Sequence, residues 1–293
     1  MSENTQTLGE GLHCDVPASV YHADPCETPS LSSGCARTLI AKSPAHAALE
    51  HPKLGGEKRE ASDAMNTGTL IHAILSGSDE IVVGDFDDFK TKAAREWRDS
   101  NEAAGKIPVL EKKYVEAKKV AESIRQRAAL GVSNSPFDSE HAKHEVTAIW
   151  KEKGCYCRAR YDVLNVDPNG YADIWDWKTT TDISDHGIQK KINGLGYHIQ
   201  AAFYLRGLET LLPKYRGRTS FIFVFAEINP PYAVRRVVLR PSYYQKAGAD
   251  VNQAINLWAH CIESGTFPMT APDTLEIELP AYMEDQNDEI TID

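Results

Sequence analysis

Three strand-like segments joined by two tight turns, between His144 and Thr179, constrain this chain more than any other feature. His144 to Trp150 reads as a strand, Lys151 to Gly154 as a turn, and Cys155 to Val166 as the hairpin partner. Asp167-Pro168-Asn169-Gly170 is a second turn signal, and Tyr171 to Thr179 a third strand. Strand side chains alternate between faces with a period of two. Asp176 and Lys178 therefore share one face, and Trp175 and Trp177 the other. On the preceding strand Arg158, Arg160 and Asp162 share a face, opposite Cys155, Cys157, Ala159, Tyr161 and Val163. If the polar faces align, Asp162 and Asp176 converge beside Lys178, and Glu145 joins them from the first strand.

Helical spacing dominates upstream. Ser30 to Ala48 is helical with a break at Ser43-Pro44, and Ala61 to Leu75 carries apolar residues at Met65, Leu70, Ile71, Ile74 and Leu75. Ile81 to Val83 reads as a short strand, Phe86 to Ala104 and Val109 to Ala129 as two surface helices. Downstream, one long helix is expected from Ser184 to Leu212, strands at Thr219–Ile228 and Tyr232–Leu239, and a last helix from Pro241 to Ser264. The fold class expected is α/β (α+β), a mixed central sheet flanked by helices with a helical N-terminal part. Residues 1–19 are expected to be a flexible N-terminus. Residues 20–270 form a single domain, 20–135 its helical part and 136–270 its sheet core, and 271–293 an acidic tail.

Carboxylates that meet near a sheet raise one another's pKa unless a cation intervenes. Oxygen-rich sites suit Mg2+ or Mn2+, and phosphodiester hydrolysis uses such an ion to neutralise the phosphate and activate a water. A lysine two residues beyond a metal carboxylate can orient that water or stabilise the transition state. Gln200 and Tyr204 are four apart on one helix face, with Tyr197 three before Gln200, a polar stripe that suits a backbone phosphate as well as ordinary helix-edge bonding. His72 sits among apolar neighbours and reads either as a core histidine or, if its helix reaches the sheet, as a metal ligand.

The net charge of -10 at first sight disfavours a polyanionic partner. Residues 271–293 hold eight acids and no Lys or Arg, however, so the rest of the chain carries only about -2. Net charge therefore does not exclude DNA. Six cysteines without C-x2-C pairs read as free thiols. No stretch approaches the roughly 20 apolar residues of a membrane span, and the opening residues lack a signal-peptide core, so the cytoplasm is expected.

Glu145, Cys157-Arg158-Ala159-Arg160-Tyr161-Asp162, Trp175-Asp176-Trp177-Lys178 and Tyr197-His198-Ile199-Gln200-Ala201-Ala202-Phe203-Tyr204 stand in one order. Upstream come Val20-Tyr21-His22-Ala23-Asp24, Ser43-Pro44-Ala45-His46 and Gly68-Thr69-Leu70-Ile71-His72. In this the chain resembles the RecE-type exonucleases of phages and prophages, YqaJ-like recombinase relatives within the PD-(D/E)XK nuclease superfamily. The literal Pro-Asp is here Tyr161-Asp162. The resemblance implies metal ligation by Asp162, Asp176, the Trp177 carbonyl, His72 and Glu145, with Lys178 catalytic. It implies DNA contacts from Gln200, Tyr204, Arg158 and Arg160. It also implies ATP-independent 5′ to 3′ digestion of double-stranded DNA ends, a ring-shaped homo-oligomer, a single-strand annealing protein as partner, and a phage or prophage origin in a bacterial cytoplasm. Three other readings stay open: an endonuclease of the same superfamily in defence or repair, a catalytically inactive DNA-end binding module, and a two-carboxylate glycoside hydrolase.

Overall fold

In the computed structural model, which describes residues 7–56, 63–128, 130–131, 135–168, 170–269 and 276–279, the N-terminal part winds into short helices behind capping residues. β1 (Gly11–His13) and α1 (Ala18–His22) lead to β2 (Leu31–Ser32). The Ser32 hydroxyl accepts from the Cys35 N–H at 3.2 Å and starts α2 (Ser33–Ala41). Ser43 does the same for α3 (Pro44–Leu49), whose first turn holds the proline that the sequence marks as a break. Then come α4 (Asp63–Ser76), β3 (Ile81–Gly84), α5 (Lys92–Ala103), β4 (Ile107–Leu110) and α6 (Glu111–Ala128). β3 and β4 pair in parallel, with α5 as their crossover. Val109 is therefore not helical: Pro108 disfavours helical backbone at Ile107, and the helix begins only at Glu111.

The sheet is built by β5 (Ala142–Glu152), β6 (Cys155–Val166) and β7 (Ala172–Thr180) as expected. α7 (Asp185–Gly194) and α8 (Tyr197–Leu211) then carry the chain across to β8 (Thr219–Glu227), β9 (Val234–Val238) and α9 (Pro241–Ser264). α7 and α8 correct the single long helix expected over 184–212. Gly196 adopts φ +64°, a left-handed turn that ends one helix and starts the next.

The sheet order is β1-β5-β6-β7-β8-β9, with β2 also on β6. Pairings are antiparallel except β7 with β8 and β2 with β6. The parallel β7–β8 pair requires a crossover, which α7 and α8 supply. One sheet face packs Tyr161, Phe221, Phe223 and Phe225 against Phe203 of α8 and Trp258 of α9. The other packs Trp175, Trp177 and Val224 against Ile71 of α4 and Val120 and Ile124 of α6.

Two further corrections concern the chain's start and the sheet. Gly11–His13 pairs with Thr147–Ile149, so part of the stretch expected to be flexible belongs to the sheet; residues 1–6 lie outside the described residues. The expected acidic tail lies outside them too, apart from residues 276–279. Strand alternation breaks at one place: Tyr161 packs on the α8 side, whereas Val163, two residues on, packs on the α6 side with Trp175. The same exchange occurs on β5 between Ala142 and Val146, across Glu145, whose φ is +52°. The register on either side puts Glu145 opposite Asp162. Both strands thus turn over at this one rung.

Among the described residues no helix is long and apolar enough to cross a membrane, and all six cysteines are free. α8 sits tight on the sheet at Gly207, where an added Cβ would stand 2.5 Å from the Trp150 ring. Gly207→Ala is therefore expected to lower stability by about 1–3 kcal/mol, read as an earlier midpoint in urea unfolding.

Candidate active site

The rung that turns over is also where two strands part. The β6–β7 ladder runs from Val166↔Ala172 to Val163↔Trp175 and stops. Its continuation would pair Asp162 with Asp176 and Tyr161 with Trp177. Instead the Trp177 N–H donates to the Asp162 carboxylate at 2.7 Å, so a side chain takes the place of a strand carbonyl. Farther along, β6 takes β2 as its neighbour on that edge. Asp162 and Asp176 stand where β6 and β7 diverge, buried at 8% and 1% exposure.

α4 brings His72 to this place. Its Nδ1 lies 3.4 Å from Asp162 Oδ1, and its Nε2 3.1 Å from the Trp177 carbonyl oxygen. Ligand atoms of His72, Glu145 and Asp162 all lie within 4.8 Å of one another. Glu145 is steadied by Arg160, whose Nε donates to its carboxylate at 2.5 Å and whose other arm reaches the Val16 carbonyl at 2.8 Å. Asp176, next along β7, accepts from Gln200 of α8 at 2.8 Å on Oδ1. Its Oδ2 touches the Lys178 ammonium but accepts no aligned hydrogen bond. The Lys178 ammonium also sits 4.8 Å from the centre of the Tyr197 ring.

The electrostatics follow from crowding. Burial and the charge of Asp162 push Asp176 up to about 6, against the pull of Lys178. Burial and Asp162 raise Glu145 too, with Arg160 opposing. Burial works to raise Asp162 itself, but His72, Lys178 and the Trp177 N–H outweigh it and hold it low. Burial would lower His72, yet Asp162 beside it lifts it to about 9. Lys178 is held above its ordinary value, Asp176 and Asp162 outweighing burial. Glu145 and Asp176 are thus both raised in part by the neighbouring Asp162 charge, a repulsion between carboxylates that a divalent cation also relieves. Carboxylates, one carbonyl and one imidazole form an oxygen-rich donor set that fits a hard cation.

The structure also shows where the proposed DNA contacts go. Gln200 is turned onto Asp176, and Tyr204, 6% exposed, packs edge-on against the Tyr161 ring. Arg158 corrects the expectation of a phosphate contact. It is 5% exposed, 3.1 Å from Asp24, and donates to the Ser30 carbonyl at 3.1 Å. Its charge is committed to a buried group that sequence reasoning missed: Asp24, Ser30, His51 and Arg158. No spacing could have disclosed it, because its members come from three separate stretches, residues 24–30, 51 and 158. The Tyr197–Lys178 contact was legible in part, since Tyr197, Gln200 and Tyr204 recur on one helix face.

Asp24 offers a test of that buried group. Burial would raise its pKa, but His51, Arg158 and Ser30 hold it well below the usual carboxylate range. A depressed folded-state value stabilises the fold above the unfolded pKa of about 4 and is lost as pH falls toward the folded value. Asp24→Asn leaves Arg158 buried without its counter-charge, and is expected to lower stability at neutral pH by about 3 kcal/mol. The gap between wild type and variant in urea unfolding should narrow as pH falls below about 4.

A family model described as a PDDEXK-like domain of unknown function (DUF3799) matches residues 36–275. The chain belongs to that family. The PDDEXK-like assignment agrees with the mixed sheet and with two carboxylates and a lysine at the point where β6 and β7 part. No curated protein matches the chain. Among solved structures, a protein of Eubacterium rectale assigned as an exonuclease superposes with TM-score 0.60 at 15% identity, over 95% of this chain and 100% of its own. At that identity it shows the shared fold. The structure of SSO0001 overlaps 72% of this chain and 96% of its own at 16% identity, but its TM-score of 0.26 carries no argument.

Proposed function

We propose that this PDDEXK-like nuclease is a metal-dependent deoxyribonuclease that digests double-stranded DNA from its ends, 5′ to 3′ and without ATP, leaving 3′ overhangs. One observation carries the reading. Ligand atoms of His72, Glu145 and Asp162 lie within 4.8 Å of one another, the Trp177 carbonyl is against His72, and Asp176 with Lys178 stands beside them where the two strands part. Mg2+, or Mn2+ in its place, would be held by those carboxylates with the carbonyl and His72. When bound it supplies charge neutralisation at the scissile phosphate and a more acidic water.

The chain's own groups do the rest. Lys178, its ammonium between Asp176 and the Tyr197 ring, is the cation placed to orient the attacking water and to offset charge on the phosphate. Gln200 holds the Asp176 carboxylate in one rotamer, and Arg160 does so for Glu145. Contacts at a phosphate read backbone rather than bases, so cutting is sequence-independent. The resemblance to RecE-type enzymes and the likeness to a protein assigned as an exonuclease support end-dependence. A ring of copies around the duplex would supply processivity without ATP, and the 3′ overhang is the substrate of a single-strand annealing protein.

Linear duplexes blocked at one 5′ or one 3′ end, incubated with Mg2+ or with EDTA, test the reading. Loss of digestion of the strand whose 5′ end is blocked, and of all digestion in EDTA, is the expected result. Digestion that persists in EDTA removes the metal, and cutting of covalently closed circles replaces the exonuclease with an endonuclease.

A further inference from the structure

The outer edge of β9 is open: among the described residues no strand pairs with it. Such an edge presents unpaired backbone N–H and C=O groups, a template for one more strand. A groove runs beside it, floored by Ile188 and Ile192 of α7, Val237 of β9 and Tyr243 of α9. β9 reads Val234-Arg235-Arg236-Val237-Val238; both arginines are exposed, and Val238 is 61% exposed.

The same chain holds a segment of matching length and opposite charge. Leu275-Glu276-Ile277-Glu278-Leu279 alternates apolar and acidic residues with the period of a strand that is apolar on one face. Ile277 is 83% exposed and Leu279 57%, an unfavourable state for apolar side chains. Laid along β9, a strand of this pattern turns its leucines and isoleucine into the groove and its glutamates to the side of Arg236. That arrangement joins backbone pairing, apolar burial and charge complementarity in one contact.

We propose that residues 275–279 of a second copy of this chain add as a strand to the outer edge of β9. Reach favours a second copy over the chain's own tail. Phe267 packs on Trp258, and Pro268 accepts from the Ala45 N–H at 3.2 Å, which ties the chain down beside α3. Trp258 lies 17 residues into α9, about 26 Å from the helix end that follows β9. From Met269 to Glu276 a fully extended chain covers about 24 Å, so about half of the segment would be spent before it reached its own β9. Between copies each chain gives one strand and receives another, a head-to-tail contact that closes into a ring or a swapped pair.

Sedimentation velocity of the full chain over a range of concentrations tests this, together with hydrogen exchange of the β9 amides. Wild type is expected to self-associate, with residues 234–238 protected. Ile277→Pro, which removes an N–H and bars strand pairing without touching the folded body, is expected to weaken association at least ~10-fold and expose those amides. Glu276→Arg with Glu278→Arg should do the same, and adding Arg236→Glu should restore part of the association. A monomeric wild type at every concentration overturns the proposal. So does Ile277→Pro with unchanged mass, whether β9 stays protected (another segment covers it) or loses protection (the chain's own tail does).

Discussion

Asp176→Ala is expected to lower DNA hydrolysis by at least ~100-fold, the scale on which a metal-dependent or electrostatic transition-state contact is lost. The size follows from position. Asp176 is 1% exposed, accepts from Gln200, and touches Lys178, so its removal takes away a proposed metal ligand and the counter-charge of the lysine together. Asp176→Asn separates charge from packing, since it keeps the shape and alters only ionisation; it should be nearly as inactive. Single-turnover rates on a linear duplex, alongside thermal unfolding to show that each variant folds, are the measurement. A folded variant that digests DNA at close to the wild-type rate would overturn the assignment.

Lys178→Ala is expected to have an effect of the same order, at least ~100-fold, because an ammonium aimed into a buried, carboxylate-lined site offsets charge far more strongly than one in water. Tyr197 fixes where that ammonium sits, its ring 4.8 Å away. Lys178→Met retains the aliphatic stem and its packing, so a matching loss with methionine assigns the effect to charge. DNA binding by either variant should stay within a few-fold of wild type, which places the defect in the chemical step. Equal loss of binding and rate would instead make Lys178 a DNA anchor.

The strands around the site were legible because turn residues and period-two alternation are local. The turns near Lys151–Gly154 and at Asp167 gave β6 and β7 to within a residue, and β5 to within two at each end. Besides the α7–α8 break and the β1 strand, two features escaped. One is β4, where a Pro-containing apolar run of four residues lies too close to a helix for periodicity to separate them. The other is the turn-over at Glu145 and Asp162: alternation assumes a regular pleat, and the pleat here is broken on two strands at once. Alternation put Tyr161 and Val163 on one face, where the structure sends them to opposite cores.

Sequence alone determined which side chains are available for the chemistry, because residue order along β6, β7 and α8 carries Asp162, Asp176, Lys178 and Gln200 at strand and helix spacings. It also determined the local elements, whose signals lie within a few residues of one another. Tertiary structure alone decided that β6 leaves β7 after Val163, that a carboxylate then takes the Trp177 N–H, and that α4 delivers His72 across 105 residues of chain to the Trp177 carbonyl. It likewise turned Arg158 inward to Asp24, a pairing 134 residues apart. The physical reason is the same throughout: hydrogen-bond and charge partners are chosen by proximity in the packed chain, and packing brings together groups whose separation in sequence carries no signal.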